Sequence, residues 1–151
     1  MEQNSINLRT IVLAFFAAAI AVAVPMNVII LLLGRPAYVM TPTAPFGVPQ
    51  FISAMFFGGL WGIVFTVIAA RFNTGRLKFG IDWLLMGAIL ATGVLWFVVF
   101  PLKGRPVAGG FAMPGLIIGP LLHAAWAWAA WMFIGMVSRF SAKSVAAETV
   151  K

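Results

Sequence analysis

The chain has no cysteine, a single histidine, and only three acidic residues among its 151. The missing cysteine excludes disulfides, thiolate metal sites, cysteine nucleophiles and thiol redox chemistry. Glu2 and Glu148 lie in the tails and Asp82 at the edge of an apolar block, so no acid is expected inside any apolar segment. That absence counts against paired-carboxylate hydrolysis, di-metal carboxylate centres and proton-coupled antiport, which commonly uses a membrane-embedded carboxylate. The lone His123 cannot form a bis-histidine haem site within one chain, and a catalytic triad would lack its carboxylate. No nucleophile, base and orienting group assemble, so neither an enzymatic activity nor a cofactor is expected.

Charge of either sign is scarce. Charged residues make up 9% of the chain and hydrophobic ones 63%, against roughly 25% charged in an ordinary soluble domain. Water is therefore not the main solvent of this protein. The net charge of +7 does not suggest nucleic acid, because Lys and Arg are dispersed among short segments flanking apolar runs, without a basic stripe. They read as topology signals and lipid-headgroup contacts. The methionines could suggest copper through thioether softness, but Met26, Met40, Met55 and Met113 are not clustered.

What is present is four apolar blocks, about 11–33, 51–70, 83–100 and 114–137. Each clears or nearly clears the ~18 residues that a helix rising 1.5 Å per residue needs to cross a bilayer. The expected fold is all-α: an integral membrane four-helix bundle in one transmembrane domain. Arg9 followed by an apolar run and Ala21-Val22-Ala23 imitates a signal peptide, but the run continues to Leu33, longer than a signal h-region, which favours a retained helix. Arg9, Arg71, Arg76, Lys78, Arg139, Lys143 and Lys151 fall on one side, and Arg35, Lys103 and Arg105 on the other. The positive-inside rule then places both termini in the cytoplasm of a multi-pass cell-membrane protein, of the bacterial inner-membrane kind. Tyr38 and Trp83 sit near span ends and are expected to anchor at headgroup level, whereas Trp61, Trp126, Trp128 and Trp131 lie deeper, where each indole N–H prefers a partner.

Two features recur along the chain. Gly34-Arg35-Pro36 follows the first block and Gly104-Arg105-Pro106 the third; Phe46-Gly47-Val48-Pro49 precedes the second block as Phe111-Ala112-Met113-Pro114 opens the fourth; and Arg71-Phe72 and Arg139-Phe140 close those blocks. This order suggests a duplicated helix hairpin, a parallel repeat related by an axis along the membrane normal. In each Gly-Arg-Pro turn the glycine ends a helix, the arginine reaches headgroup phosphate and the proline prevents continuation. Arg35, Lys103 and Arg105 together could alternatively form a cationic mouth. The second feature is small-residue spacing: Gly58-x-x-x-Gly62, Gly87-x-x-x-Ala91 and Gly115-x-x-x-Gly119 permit close helix approach.

The candidate polar residues inside the blocks are Asn27 and His123, with Thr92 and Thr66 weaker because a helical threonine can bond its own preceding turn. Asn27 and His123 differ in expected depth by only about 4–5 Å, so a bond between them is expected if the first and fourth helices pack together. Pro25 and Pro120 lie just before these two residues and can kink their helices. The proline-rich stretch 38–49 and the segment 109–114 are expected to cap the outer end. The leading function is a structural or accessory role, packing as a homo-oligomer or within a larger membrane complex, with the lipid bilayer as the other partner. The alternative is a pore or carrier for a small neutral or anionic solute, with Arg35 and Arg105 at the entrance and Asn27 and His123 near the midplane.

Overall fold

The computed structural model describes residues 7–34, 40–43, 46–72 and 80–148 and is predominantly helical. Asn7 opens the first helix, its side-chain oxygen accepting the Thr10 N–H at 2.9 Å as an N-cap does. Helix α1 (Leu8–Ala21) runs into α2 (Ala23–Leu33) across a break at Val22, whose N–H turns to Ala19 O at 3.2 Å. Pro25, one turn on, has no N–H to give and its ring crowds the carbonyl four residues back, which accounts for a break at this point. Helix α3 spans Gln50–Phe72. Helix α4 covers Ile81–Leu102 and alternates α-helical turns with two π-helical stretches, Gly87–Ala91 and Leu95–Val99. Helix α5, Gly115–Glu148, contains Pro120 and continues past its apolar block, because no glycine or proline interrupts 139–148.

Four segments are long and apolar enough to cross a membrane: Leu8–Leu32, Gln50–Phe72, Ile81–Leu102 and Gly115–Arg139. They match the four expected blocks, with ends displaced by a few residues. The displacement matters at the start of α4. Gly80, in the left-handed conformation, lets the helix begin at Ile81, so Asp82, at the edge of the block as expected, and Trp83 fall in its first turn. Both are buried.

Helix α5 is the hub, packing against α1 and α2 on one side and against α4 on the other, while α3 lies along α1. Alanines line these crossings: Ala14, Ala17, Ala18, Ala21, Ala127 and Ala130 are buried. Small side chains let backbones approach, and in a bilayer close packing and polar contacts hold helices together. The wider centre is filled by aromatics, with the Phe65 ring 5.5–5.6 Å from those of Trp61, Trp83 and Trp126. Trp83 is therefore a core residue, correcting its expected place as a headgroup anchor. Tyr38 lies outside the described residues.

The small-residue spacings are not used alike. A methyl at Gly58 would lie 2.6 Å from Val22 Cγ2, and Gly62 sits against Ala18 and the Ala14 carbonyl, so both glycines permit the α1–α3 crossing. Gly87 abuts the His123 carbonyl, and a methyl there would lie 2.6 Å from Ala127 Cβ. Gly115, by contrast, has open space where a side chain would be, and Gly119 has only the Trp96 ring at 3.6 Å. The fourth-block spacing thus makes no tight helix crossing among the described residues.

The turns follow their sequence. Gly104 (φ 67°) ends α4 in a Schellman arrangement, its N–H bonding Pro101 O at 2.9 Å and the Arg105 N–H bonding Phe100 O at 2.8 Å. Gly34 (φ 58°) ends α2 more simply, with one bond to Ile30 O at 2.8 Å. A two-residue antiparallel ladder pairs Pro42 with Pro49 and Thr43 with Val48 before α3. Residues 107–111 form a tight turn leading to α5.

Candidate functional site

The polar residues placed inside helices divide into two groups. Thr92 and His123 come together: Thr92 Oγ1 lies 3.2 Å from His123 Nδ1, joining α4 to α5. His123 Nδ1 also lies 2.9 Å from Gly119 O. A carbonyl only accepts, so Nδ1 carries the proton and shares it between Gly119 O and the threonine oxygen. The Thr92 hydroxyl then donates to Gly87 O at 3.3 Å. In the neutral ring this network leaves the lone pair on Nε2. Gly87 lies five residues before Thr92 and heads the first π-helical stretch, which brings an i−5 carbonyl within reach of the hydroxyl. Thr92 is 2% exposed.

Asn27 takes no part in this network. Its side chain is exposed and its amide N–H donates to Ala23 O at 2.7 Å, one turn back in the same helix. The expected Asn27–His123 bond is replaced by Thr92–His123, because the Asn27 face of α2 turns outward while α4 presents Thr92 to α5. Thr66 bonds Gly62 O at 2.8 Å in its own preceding turn, as expected for a helical threonine.

A second interhelical bond carries no ionisable group. Trp126 donates its indole N–H to Ala18 O at 2.9 Å, fully buried. Val22 N–H, four residues after Ala18, has turned to Ala19 O, so the break in the first span presents this carbonyl to α5. The bond passes beside Gly58, where a methyl would stand 3.3 Å from the indole nitrogen and 3.4 Å from the carbonyl oxygen. Three helices meet at this point.

Asp82 was not among the candidate site residues. It is 8% exposed, and neither carboxylate oxygen has a hydrogen-bond partner among the described residues. Its place in the first turn of α4 puts it at the positive end of the helix dipole. Among the described residues, the positive partial charge of that helix end is what compensates the carboxylate.

Of the three cations expected at the outer face, Arg35 lies outside the described residues. Lys103 and Arg105 are both exposed at the Gly-Arg-Pro turn that ends α4. The Arg105 guanidinium carbon lies 5.1 Å from the centre of the Phe100 ring, a cation–π contact. Phe100 in turn lines an apolar cleft of about 470 Å³ between α4 and the start of α5, with Trp96, Ala108, Pro114, Gly115 and Gly119 among its other walls. Trp96 follows Thr92 by four residues and Gly119 precedes His123 by four, so the cleft begins one helical turn beyond the Thr92–His123 bridge. Helical spacing from the two polar residues could have singled out Trp96 and Gly119. Nothing in the linear sequence announces the space between them.

Comparison of the chain with protein-family models, with curated proteins and with solved structures finds no match.

Proposed function

We propose that this chain is a small multi-pass membrane protein with a structural or accessory role, working as a homo-oligomer or as a subunit of a larger membrane complex. The carrying observation is that the candidate polar residues Asn27, Thr92 and His123 line no common path among the described residues: Thr92 and His123 bond each other and their own helices, and Asn27 bonds its own turn on an exposed face. Many large apolar side chains, such as Phe16, Leu31, Ile89 and Leu121, are more than half exposed, as suits contact with lipid or a neighbouring subunit. In this reading both termini are cytoplasmic, the Gly-Arg-Pro turns face outward in a bacterial-type inner membrane, and the two hairpins descend from one duplicated unit.

The test is purification of the tagged chain from membranes in mild detergent, with mass spectrometry of co-purifying chains and small molecules, for wild type and His123→Ala. Recovery of one larger complex unaffected by the substitution supports the accessory role. The pore or carrier alternative draws its support from the apolar cleft beside Arg105 and from Pro25 and Pro120 inside the first and fourth spans. Recovery of a lone oligomer with a small solute that is lost in His123→Ala would replace the first reading by the second.

A further inference from the structure

Arg105 and the cleft beside it together describe an amphipathic binding site. The cleft walls are apolar, and its volume of about 470 Å³ falls within the roughly 300–1,000 Å³ of ordinary ligand sites. Phe100 connects the two parts, one ring serving both as cleft wall and as the surface on which the guanidinium rests at 5.1 Å. Lys103 is exposed two residues earlier. Pro114, just before α5, and Gly115, its first residue, line the same cleft, so the amide end of a long helix adds positive partial charge. Asp82, the acid on α4, stands at the opposite end of that helix, about 30 Å away at 1.5 Å per residue. An anion at this mouth would therefore meet positive groups, with apolar space directly beside them.

We propose that the cleft between α4 and α5 seats one acyl chain of an anionic phospholipid whose phosphate is held by Arg105, with Lys103 adding to the attraction. Of the possible occupants, a bilayer lipid fits both halves: the cavity is apolar, the Arg105 guanidinium rests on one of its walls, and the cleft lies at the end of two membrane-length helices. The proposal goes beyond the accessory role and rests only on the chain being embedded in a bilayer, which alkaline carbonate extraction of native membranes tests separately.

The experiment is native mass spectrometry of the full-length chain, titrated in detergent with phosphatidylglycerol or with phosphatidylcholine of the same acyl chains. Wild type is expected to bind one phosphatidylglycerol about five-fold more tightly than phosphatidylcholine, as one well-placed cation near an anionic headgroup would give. Arg105→Gln, a change at an exposed side chain, removes most of that preference, whereas Arg139→Gln, exposed near the end of the last span, leaves it intact. Gly115→Leu adds a side chain where there is open space, so the fold is retained while the cleft is filled, and both lipids bind more weakly. The proposal is overturned if Arg105→Gln keeps the wild-type preference, if Arg139→Gln loses it equally, or if Gly115→Leu binds both lipids as wild type does. A chain dimer that excludes lipid and disappears in Gly115→Leu would also overturn it, and would assign the cleft to a second copy.

Discussion

Thr92 and His123 form a polar link between α4 and α5 in an otherwise apolar contact, and such interhelical bonds contribute on the order of 0.6–2 kcal/mol. Thr92→Val keeps the side chain's shape and removes the hydroxyl. It is expected to lower stability by about 1 kcal/mol, and His123→Ala in the same background should cost less than it does alone, because the bond is already gone. Thermal unfolding of the two single variants and the double variant in detergent measures that coupling; strictly additive losses would mean that the two side chains do not act together. Trp126→Phe tests the other link. It preserves the ring beside Phe65 but orphans Ala18 O, for an expected loss of about 1–3 kcal/mol. An unchanged unfolding temperature would show that the indole bond to α1 adds nothing to the packing of the ring.

Helix crossings set the next scale. Gly58 and Gly62 on α3, and Gly87 on α4, stand where the facing helix leaves no room for a side chain, whereas Gly115 on α5 faces open space. Gly58→Ala is expected to destabilise by about 1–3 kcal/mol, since its methyl must displace Val22 and crowd the Trp126–Ala18 bond. Gly115→Ala should be neutral or slightly stabilising, because alanine has the higher helix propensity and meets no atom within 4 Å. Unfolding curves for the pair decide this; equal losses would place Gly115 in a tight contact after all, in an oligomer. The identical Gly-x-x-x-Gly spacing in α3 and α5 thus serves one crossing and leaves the other unused. Spacing records where a backbone could approach, but the helix that stands opposite decides whether it does.

For the molecule as a whole, the absence of cysteine makes topology directly measurable, because every introduced thiol is the single one in the chain. Lys103→Cys and Ser138→Cys alter exposed positions near opposite ends of the bundle. In intact cells, a membrane-impermeant maleimide is expected to label position 103 and to reach position 138 only after permeabilisation. The reverse pattern would invert the proposed orientation while leaving the fold untouched.

The sequence by itself determined the number and approximate extent of the four long helices, because apolar length and the scarcity of charge are local properties that any bilayer-spanning segment must show. It also determined how two of them stop, since Gly34 and Gly104 take left-handed conformations that glycine makes accessible, each followed by X-Pro. Tertiary structure alone decided which faces meet. It paired His123 with Thr92 and turned Asn27 outward, drew Trp83 from an expected anchor into the aromatic core, and buried Asp82 in the first turn of α4. It also opened the cleft beside Arg105. Each of these depends on the rotation of one helix relative to another. In a chain so uniformly apolar, most helix faces look alike in sequence, so that rotation is set by interlocking small side chains and a few interhelical bonds between residues far apart in the chain.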